Sequence, residues 1–399
     1  MIKKVISRIY RIFFNLNASI FPVKKKTVLF ESFNGKLPSD NPYYIYLELK
    51  KQQPDWDLVW GVKGSLYDKA KKDYPDFKFI KRFSLKWLLF TPRAQFWVFN
   101  ARMPHWLKKN KATTYIQTWH GTPLKKLGLD IETVAMPGTD SVTYKKNFIL
   151  ETARWDYLIA PNEYSHKIFE QAFRFKNNFL DIGYPRNDIL VQKKYDEEYK
   201  NRLKEKIIGK TDGRVILYAP TWRDDYFVSK GNYKFFMPFD LSRIVQILAD
   251  EDTLVIRPHY LVGDSIDISG YEKNVKICLD EDINDLYLIS DMMVTDYSSV
   301  MFDYAILERP MLFYPYDIKH YQHELRGFYF DYREVPGPIV VDEEEFYSKM
   351  LEFEKNNCFA EFDEKLKVFS QKFCKWEIGN SANKIVADII LERKKKING

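Results

Sequence analysis

Cysteine is scarce in this 399-residue chain: Cys278, Cys358 and Cys374 are the only three, and none forms a C-x-x-C pair. That excludes a disulfide framework and a cysteine-built zinc site, and fits a reducing compartment. No run of about 18 uncharged apolar residues occurs, so no helix is expected to cross a bilayer. The apolar stretch near the start is interrupted by Arg8 and Arg11 and lacks a small-residue cleavage site, so it does not read as a secretory signal. The sequence has no G-x-x-x-x-G-K-[ST] loop, no G-x-G-x-x-G, no H-E-x-x-H and no well-placed D-x-D pair. A metal-held diphosphate and a dinucleotide cofactor are therefore not expected.

What is present is 45% hydrophobic and 17% aromatic residues, enough for two packed cores. There are 62 basic and 55 acidic residues, a net charge of +7. Seven bases lie in the first 26 residues, ahead of the first acid, Glu31, and the rest of the chain is balanced. A local anionic surface is the expected partner, and nucleic acid is not. Ile2, Val5, Ile6, Ile9, Phe13 and Leu16 recur at spacings of three and four, while Lys3, Lys4, Arg8 and Arg11 fall largely on the other side. This predicts a basic amphipathic helix within residues 1–26 that lies in a membrane interface; the alternative is a helix packed on the body with its charges solvated.

Beyond it, short β-type runs alternate with helical stretches, beginning with a strand from Thr27 to Phe33. The alternation restarts after the charged segment 195–210. The pattern predicts an α/β protein with two Rossmann-like domains, residues 27–195 and 196–378, followed by a C-terminal helix and basic tail over 379–399. Ligands of open parallel sheets bind at the carboxyl ends of strands, and the polar clusters fall there.

Gln117-Thr-Trp-His120-Gly121-Thr122-Pro123-Leu124-Lys125 follows one such strand. Its glycine would let the backbone approach a ligand, and Thr122-Pro123 would open a helix toward an anion. His120 has the side chain best suited to general-base work at neutral pH. Arg257-Pro258-His259 ends another strand with two phosphate donors around a stiff turn. Thr295-Asp-Tyr-Ser298-Ser299-x-x-x-Asp303 reads as strand, polar turn and helix start; its amides suit phosphate and its carboxylate suits a ribose hydroxyl. Arg186, in Gly-Tyr-Pro-Arg-Asn-Asp, and Pro220, Thr221 and Arg223, in Ala-Pro-Thr-Trp-Arg, add further arginines and hydroxyls.

Taken in chain order, at His120, Arg186, Thr221, Arg257 and Ser299, the five motifs resemble the CDP-glycerol glycerophosphotransferases of wall teichoic acid synthesis, over roughly residues 27–375. The resemblance implies a GT-B fold, two Rossmann-like domains facing across a cleft, at the cytoplasmic face of the cell membrane. It implies transfer of glycerol phosphate from CDP-glycerol to a hydroxyl of a lipid-linked acceptor, with release of CMP and without metal or cofactor. Carried onto this chain, it makes His120, His259 and Arg257 the catalytic residues. The CDP-glycerol site would comprise His120, Gly121, Thr122, Pro123, Leu124, Arg186, Pro220, Thr221, Arg257, Pro258, His259, Ser298, Ser299 and Asp303. A CDP-ribitol transferase, a nucleotide-sugar glycosyltransferase and a non-catalytic polyanion-binding membrane protein are the alternatives.

Overall fold

The structure, a computed structural model, describes residues 2–132, 140–221, 227–229, 232–233, 237–258, 266–318 and 327–391. The chain divides into two units, each built on a parallel sheet. The first comprises residues 1–120, 127–188 and 376–399, and the second residues 121–126 and 189–375.

In the first unit the strands are β1 (Lys24–Glu31), β2 (Asp57–Val62), β3 (Lys78–Lys81), β4 (Ala94–Phe99), β5 (Thr114–Gln117), β6 (Tyr157–Ala160) and β7 (Asn178–Asp181). They lie in the order β3-β2-β1-β4-β5-β6-β7, with every pair parallel. Helices α1 (Ile2–Ile20), α2 (Asp40–Gln52), α3 (Tyr67–Asp73), α4 (Leu85–Phe90), α5 (Ser141–Thr152) and α6 (Glu163–Phe173) belong to the same unit. Both faces of the sheet are covered, as a parallel sheet requires. Alternate residues go to opposite cores: Leu29, Trp97 and Phe99 to one, Val28, Phe30, Phe96 and Val98 to the other. The reversal of strand order falls between β1 and β4, the place where such sheets bind ligands.

The second unit repeats the plan. Its five-stranded sheet has the order β12-β11-β8-β13-β14, from β8 (Val215–Tyr218), β11 (Thr253–Ile256), β12 (Val275–Ile277), β13 (Met292–Thr295) and β14 (Met311–Phe313). A separate two-stranded antiparallel ladder joins β9 (Phe227–Ser229) and β10 (Asn232–Tyr233). Helices α7 (Asp188–Lys193), α8 (Glu197–Ile208), α9 (Leu241–Ile247), α10 (Ile283–Ile289) and α11 (Val300–Tyr304) follow in chain order. Here the order reverses between β8 and β13.

Several boundaries differ from the sequence reading. β1 starts at Lys24, so three lysines of the basic head open a strand. It stops at Glu31 because Phe33 and Asn34 adopt left-handed backbone (φ 45° and 61°), which breaks the ladder. The predicted C-terminal helix begins at Ser381 and continues as a π-helical stretch, Ile385–Leu391, whose Ile385, Val386 and Ile390 pack into the first unit's core.

α1 has two distinct faces. Phe14, Asn17 and Ala18 are buried; Phe14 packs on Trp87 of α4, with ring centroids 5.4 Å apart. Val5, Ile6, Ile9, Phe13 and Leu16 are exposed, together with Ile12 and Ile20. Among the described residues no helix is long and apolar enough to cross a membrane.

Candidate active site

In the first unit the candidate site lies at the β1/β4 reversal. β5 delivers Thr118, Trp119 and His120. The tight backbone here is at Trp119 (φ 53°), two residues before the Gly121 position expected from sequence. The left-handed turn is held at both ends: the Trp119 N–H donates to Gln117 Oε1 (3.0 Å), and its carbonyl accepts from Asn41 Nδ2 (3.1 Å). The indole then stacks on the His120 ring at 4.6 Å and lies 4.6 Å from Phe173.

His120 Nδ1 is 2.7 Å from the carbonyl oxygen of Asn100, just past β4. A carbonyl can only accept, so Nδ1 carries the proton and the neutral ring presents Nε2 as a lone-pair base. Phe33, just past β1, packs against the ring edge at 5.6 Å, and its N–H donates to Asn100 Oδ1 (2.7 Å). The ring retains an exposed face, yet protein crowds it elsewhere. That desolvation holds its pKa below the ordinary histidine value. The Asp40 charge and the Asn100 bond pull it upward, and Arg186 pushes it down.

Arg186 is buried, with 6% of its surface exposed. Its Nη1 donates to both Asp40 oxygens at 3.1 Å, its guanidinium stacks 4.7 Å over Tyr184, and its N–H donates to Asn41 Oδ1 (3.1 Å). Asn41, itself fully buried, thus ties the Arg186 turn to the His120 turn.

In the second unit Gly121–Lys126 is a strand-like segment held by main-chain bonds. Lys126 N–H donates to the Gly327 carbonyl (2.8 Å), and Tyr329 N–H to the Leu124 carbonyl (2.9 Å). Thr122, Pro123 and Leu124 are buried. A Cβ on Gly121 would stand 3.4 Å from Ser299 Oγ, so the first and third motifs meet here. At the β8/β13 reversal, Thr221 N–H donates to Asp296 Oδ1 (2.8 Å) and Thr295 Oγ1 to the Ala219 carbonyl (2.7 Å), which brings Pro220 and Thr221 beside the Ser-Ser turn. Ser299 opens α11 without a side-chain cap bond; Ser298 Oγ accepts from Val300 N–H at a long 3.5 Å. Asp303 is buried (8% exposed) within α11.

Arg257 follows β11, next to β8, and donates through Nη1 to the Cys278 carbonyl (2.9 Å). Burial lowers its pKa, against the pull of Glu281, Asp282 and Asp280, and Pro258 is buried beside it. His259 and Arg223 lie outside the described residues. Among the described residues no three His, Cys, Asp or Glu side chains gather as a metal ion would need.

Residues 12–391 match the family CDP-glycerol:poly(glycerophosphate) glycerophosphotransferase. The chain is 44% identical over 395 residues to a teichoic acid poly(glycerol phosphate) polymerase of Bacillus spizizenii, covering 97% of this chain and 98% of that one. It is 45% identical to the Bacillus subtilis polymerase of the same description, covering 97% of this chain but 51% of the relative. With a Staphylococcus aureus teichoic acid glycerol-phosphate transferase it shares 46% identity, over 92% and 93% of the two chains. The solved wall teichoic acid polymerase TagF superposes with a TM-score of 0.89 at 40% identity, covering 99% of this chain and 96% of that one. A histidine-to-asparagine variant of TagF soaked with CDPG superposes at 0.88.

The chain belongs to the CDP-glycerol:poly(glycerophosphate) glycerophosphotransferase family.

In this family member, the motifs do not include Asp40, Asn41 or Asn100. All three surround His120 or brace its turn. Asp40-Asn41 sits in a Gly/Pro/Asp loop that resembles any polar connection in sequence. The one available cue was its position after β1, at a strand end.

Proposed function

We propose that this chain transfers glycerol phosphate from CDP-glycerol to a hydroxyl of a lipid-linked acceptor in teichoic acid synthesis. The observation that carries the reading is the fixed tautomer of His120, within a chain that matches the family over residues 12–391. With Nδ1 committed to the Asn100 carbonyl, Nε2 takes the acceptor proton as the hydroxyl oxygen attacks the phosphorus bearing glycerol. The bond from that phosphorus to the bridging oxygen breaks, and CMP leaves with that oxygen. Arg257, the hydroxyls of Ser298 and Ser299 and the amides that open α11 stabilise the phosphate charge, and His259 joins them by its motif. Gly121, Thr122, Pro123, Leu124, Arg186, Pro220, Thr221, Pro258 and Asp303 complete the donor site. The first unit takes the acceptor and the second CDP-glycerol, as in a GT-B enzyme. The superposition on TagF across 99% of the chain supports that assignment.

Glycerol is favoured over ribitol as the transferred polyol, since identity is 44–46% to the glycerol phosphate polymerases and transferase but 26% to a ribitol-phosphate polymerase. The exposed apolar face of α1, flanked by Arg8 and Arg11, supports peripheral attachment to the cytoplasmic face of the membrane. The test supplies labelled CDP-glycerol or CDP-ribitol with a lipid-linked disaccharide and follows label into lipid. Transfer from CDP-glycerol upholds the reading, and product length separates a primase from a polymerase.

A further inference from the structure

One cavity of the first unit has no part in the chemistry above. It is a hollow broadly open to solvent, with a volume of about 530 Å³, within the range of small-ligand sites. Its wall carries Arg11 of α1, His105, Lys108, Lys109 and Lys111 of the loop between β4 and β5, and Arg154 just past α5. Two of these cations are neutralised: Lys109 pairs with Asp156 (2.6 Å), and Arg154 pairs with Glu151. Arg11, Lys108 and Lys111 have no carboxylate at salt-bridge distance among the described residues. His105 sits within reach of the arginines around this hollow. Its pKa lies below the ordinary value, first through burial and then through Arg154, Arg11 and Arg102.

The loop is fastened along one edge of α1. Asn15 donates to the Trp106 carbonyl (3.2 Å) and accepts from the Lys108 N–H (2.8 Å), and Lys108 Nζ donates to Ser19 Oγ (2.8 Å). Arg11, Asn15 and Ser19 are four residues apart, so they form one row along the helix. On the solvent side of that row runs the exposed stripe Val5, Ile9, Ile12, Leu16 and Ile20. Unneutralised cations thus line a hollow whose rim adjoins an apolar stripe. An anion on an acyl chain matches both.

We propose that this cavity holds the phosphoryl headgroup of an anionic phospholipid while its acyl chains follow the exposed stripe of α1. The inference rests on the membrane reading of α1 given above and goes beyond it by naming a site in place of a charged face.

The test uses the full chain and vesicles of phosphatidylcholine with or without phosphatidylglycerol. The double variant Lys108→Gln/Lys111→Gln is compared with Lys24→Gln/Lys25→Gln, which removes the same charge from the exposed start of β1. The cavity pair is expected to lose about tenfold or more in partitioning onto phosphatidylglycerol vesicles, and the β1 pair clearly less. In histidine-labelled NMR, the same vesicles are expected to raise the His105 pKa, because a bound anion offsets its cationic neighbours. Equal losses by both pairs with His105 unmoved would mean diffuse charge only and overturn the site. A His105 rise that soluble glycerol phosphate reproduces in full would overturn the lipid as its occupant. An Ile9→Asn/Leu16→Asn variant separates the two levels. If it binds vesicles like the parent, the membrane reading itself fails; if it releases them while the lysine pair does not, the headgroup site alone fails.

Discussion

A single terminal nitrogen of Arg186 donates to both carboxylate oxygens of Asp40, each at 3.1 Å, and the pair flanks His120 with opposite charges. Both side chains are about nine-tenths buried. Removing one partner leaves the other charge desolvated and uncompensated, which typically costs about 3–5 kcal/mol. Asp40→Asn should therefore lower the unfolding free energy by an amount near that range, measured by urea titration. A loss under about 1 kcal/mol would place the pair among solvent-screened ones.

The same substitution has a pH consequence. Asp40 raises the His120 pKa, so its loss leaves the ring less basic still. In the parent, a pKa below about 6.5 keeps His120 neutral and able to accept a proton at pH 7. The acid limb of kcat/KM should lie below that value and move to lower pH in Asp40→Asn. A shift toward higher pH would show that another group governs the limb.

His120→Ala should lower kcat by about 10²–10⁴-fold, the usual share of a general base. CDP-glycerol binding, followed by calorimetry, should change little, since Thr221, Arg257, Ser298, Ser299 and Asp303 are left in place to hold the donor. A variant that loses donor binding in proportion to rate would recast His120 as a binding residue.

Gly121 has no left-handed backbone requirement, and an added Cβ meets Ser299 Oγ at an ordinary 3.4 Å. Gly121→Ala should therefore leave Tm nearly unchanged. It fills space directly over the Ser-Ser turn, so KM for CDP-glycerol should rise several-fold. A large fall in Tm would show that the turn depends on glycine after all.

On α1, adjacent phenylalanines should behave oppositely. Phe14 is fully buried against Trp87, and Phe14→Ala should cost about 3–5 kcal/mol. Phe13 is 59% exposed, and Phe13→Ala should stay within about 0.5 kcal/mol in the absence of lipid. Thermal or urea unfolding of the two variants decides this.

Much of this arrangement was legible in the sequence because parallel strands buried on both faces read as compact apolar runs. Val28–Phe30, Phe96–Phe99 and Met292–Val294 are such runs, and each became a central strand. The rule that ligands gather at strand ends then singled out the segments around His120, Arg257 and Ser299, and all three follow strands. What stayed hidden was long-range. That Asn41 bonds to both Trp119 and Arg186, positions 78 and 145 residues away, has no local signature. Nor does the choice of Trp119 over Gly121 for the left-handed turn, because tertiary bonds from Asn41 and Gln117 impose it. On α1 the apolar periodicity was plain, but Phe14, one residue off the predicted stripe, is the anchor on the body.

The most direct test of the central claim incubates the full chain with CDP-glycerol labelled in its glycerol, with and without a lipid-linked disaccharide acceptor, and measures label in lipid alongside CMP. Label should pass into lipid one-for-one with CMP, only when acceptor is present, and should nearly vanish in His120→Ala. Label transfer by His120→Ala at the parental rate, or CMP release that ignores the acceptor, would contradict the claim.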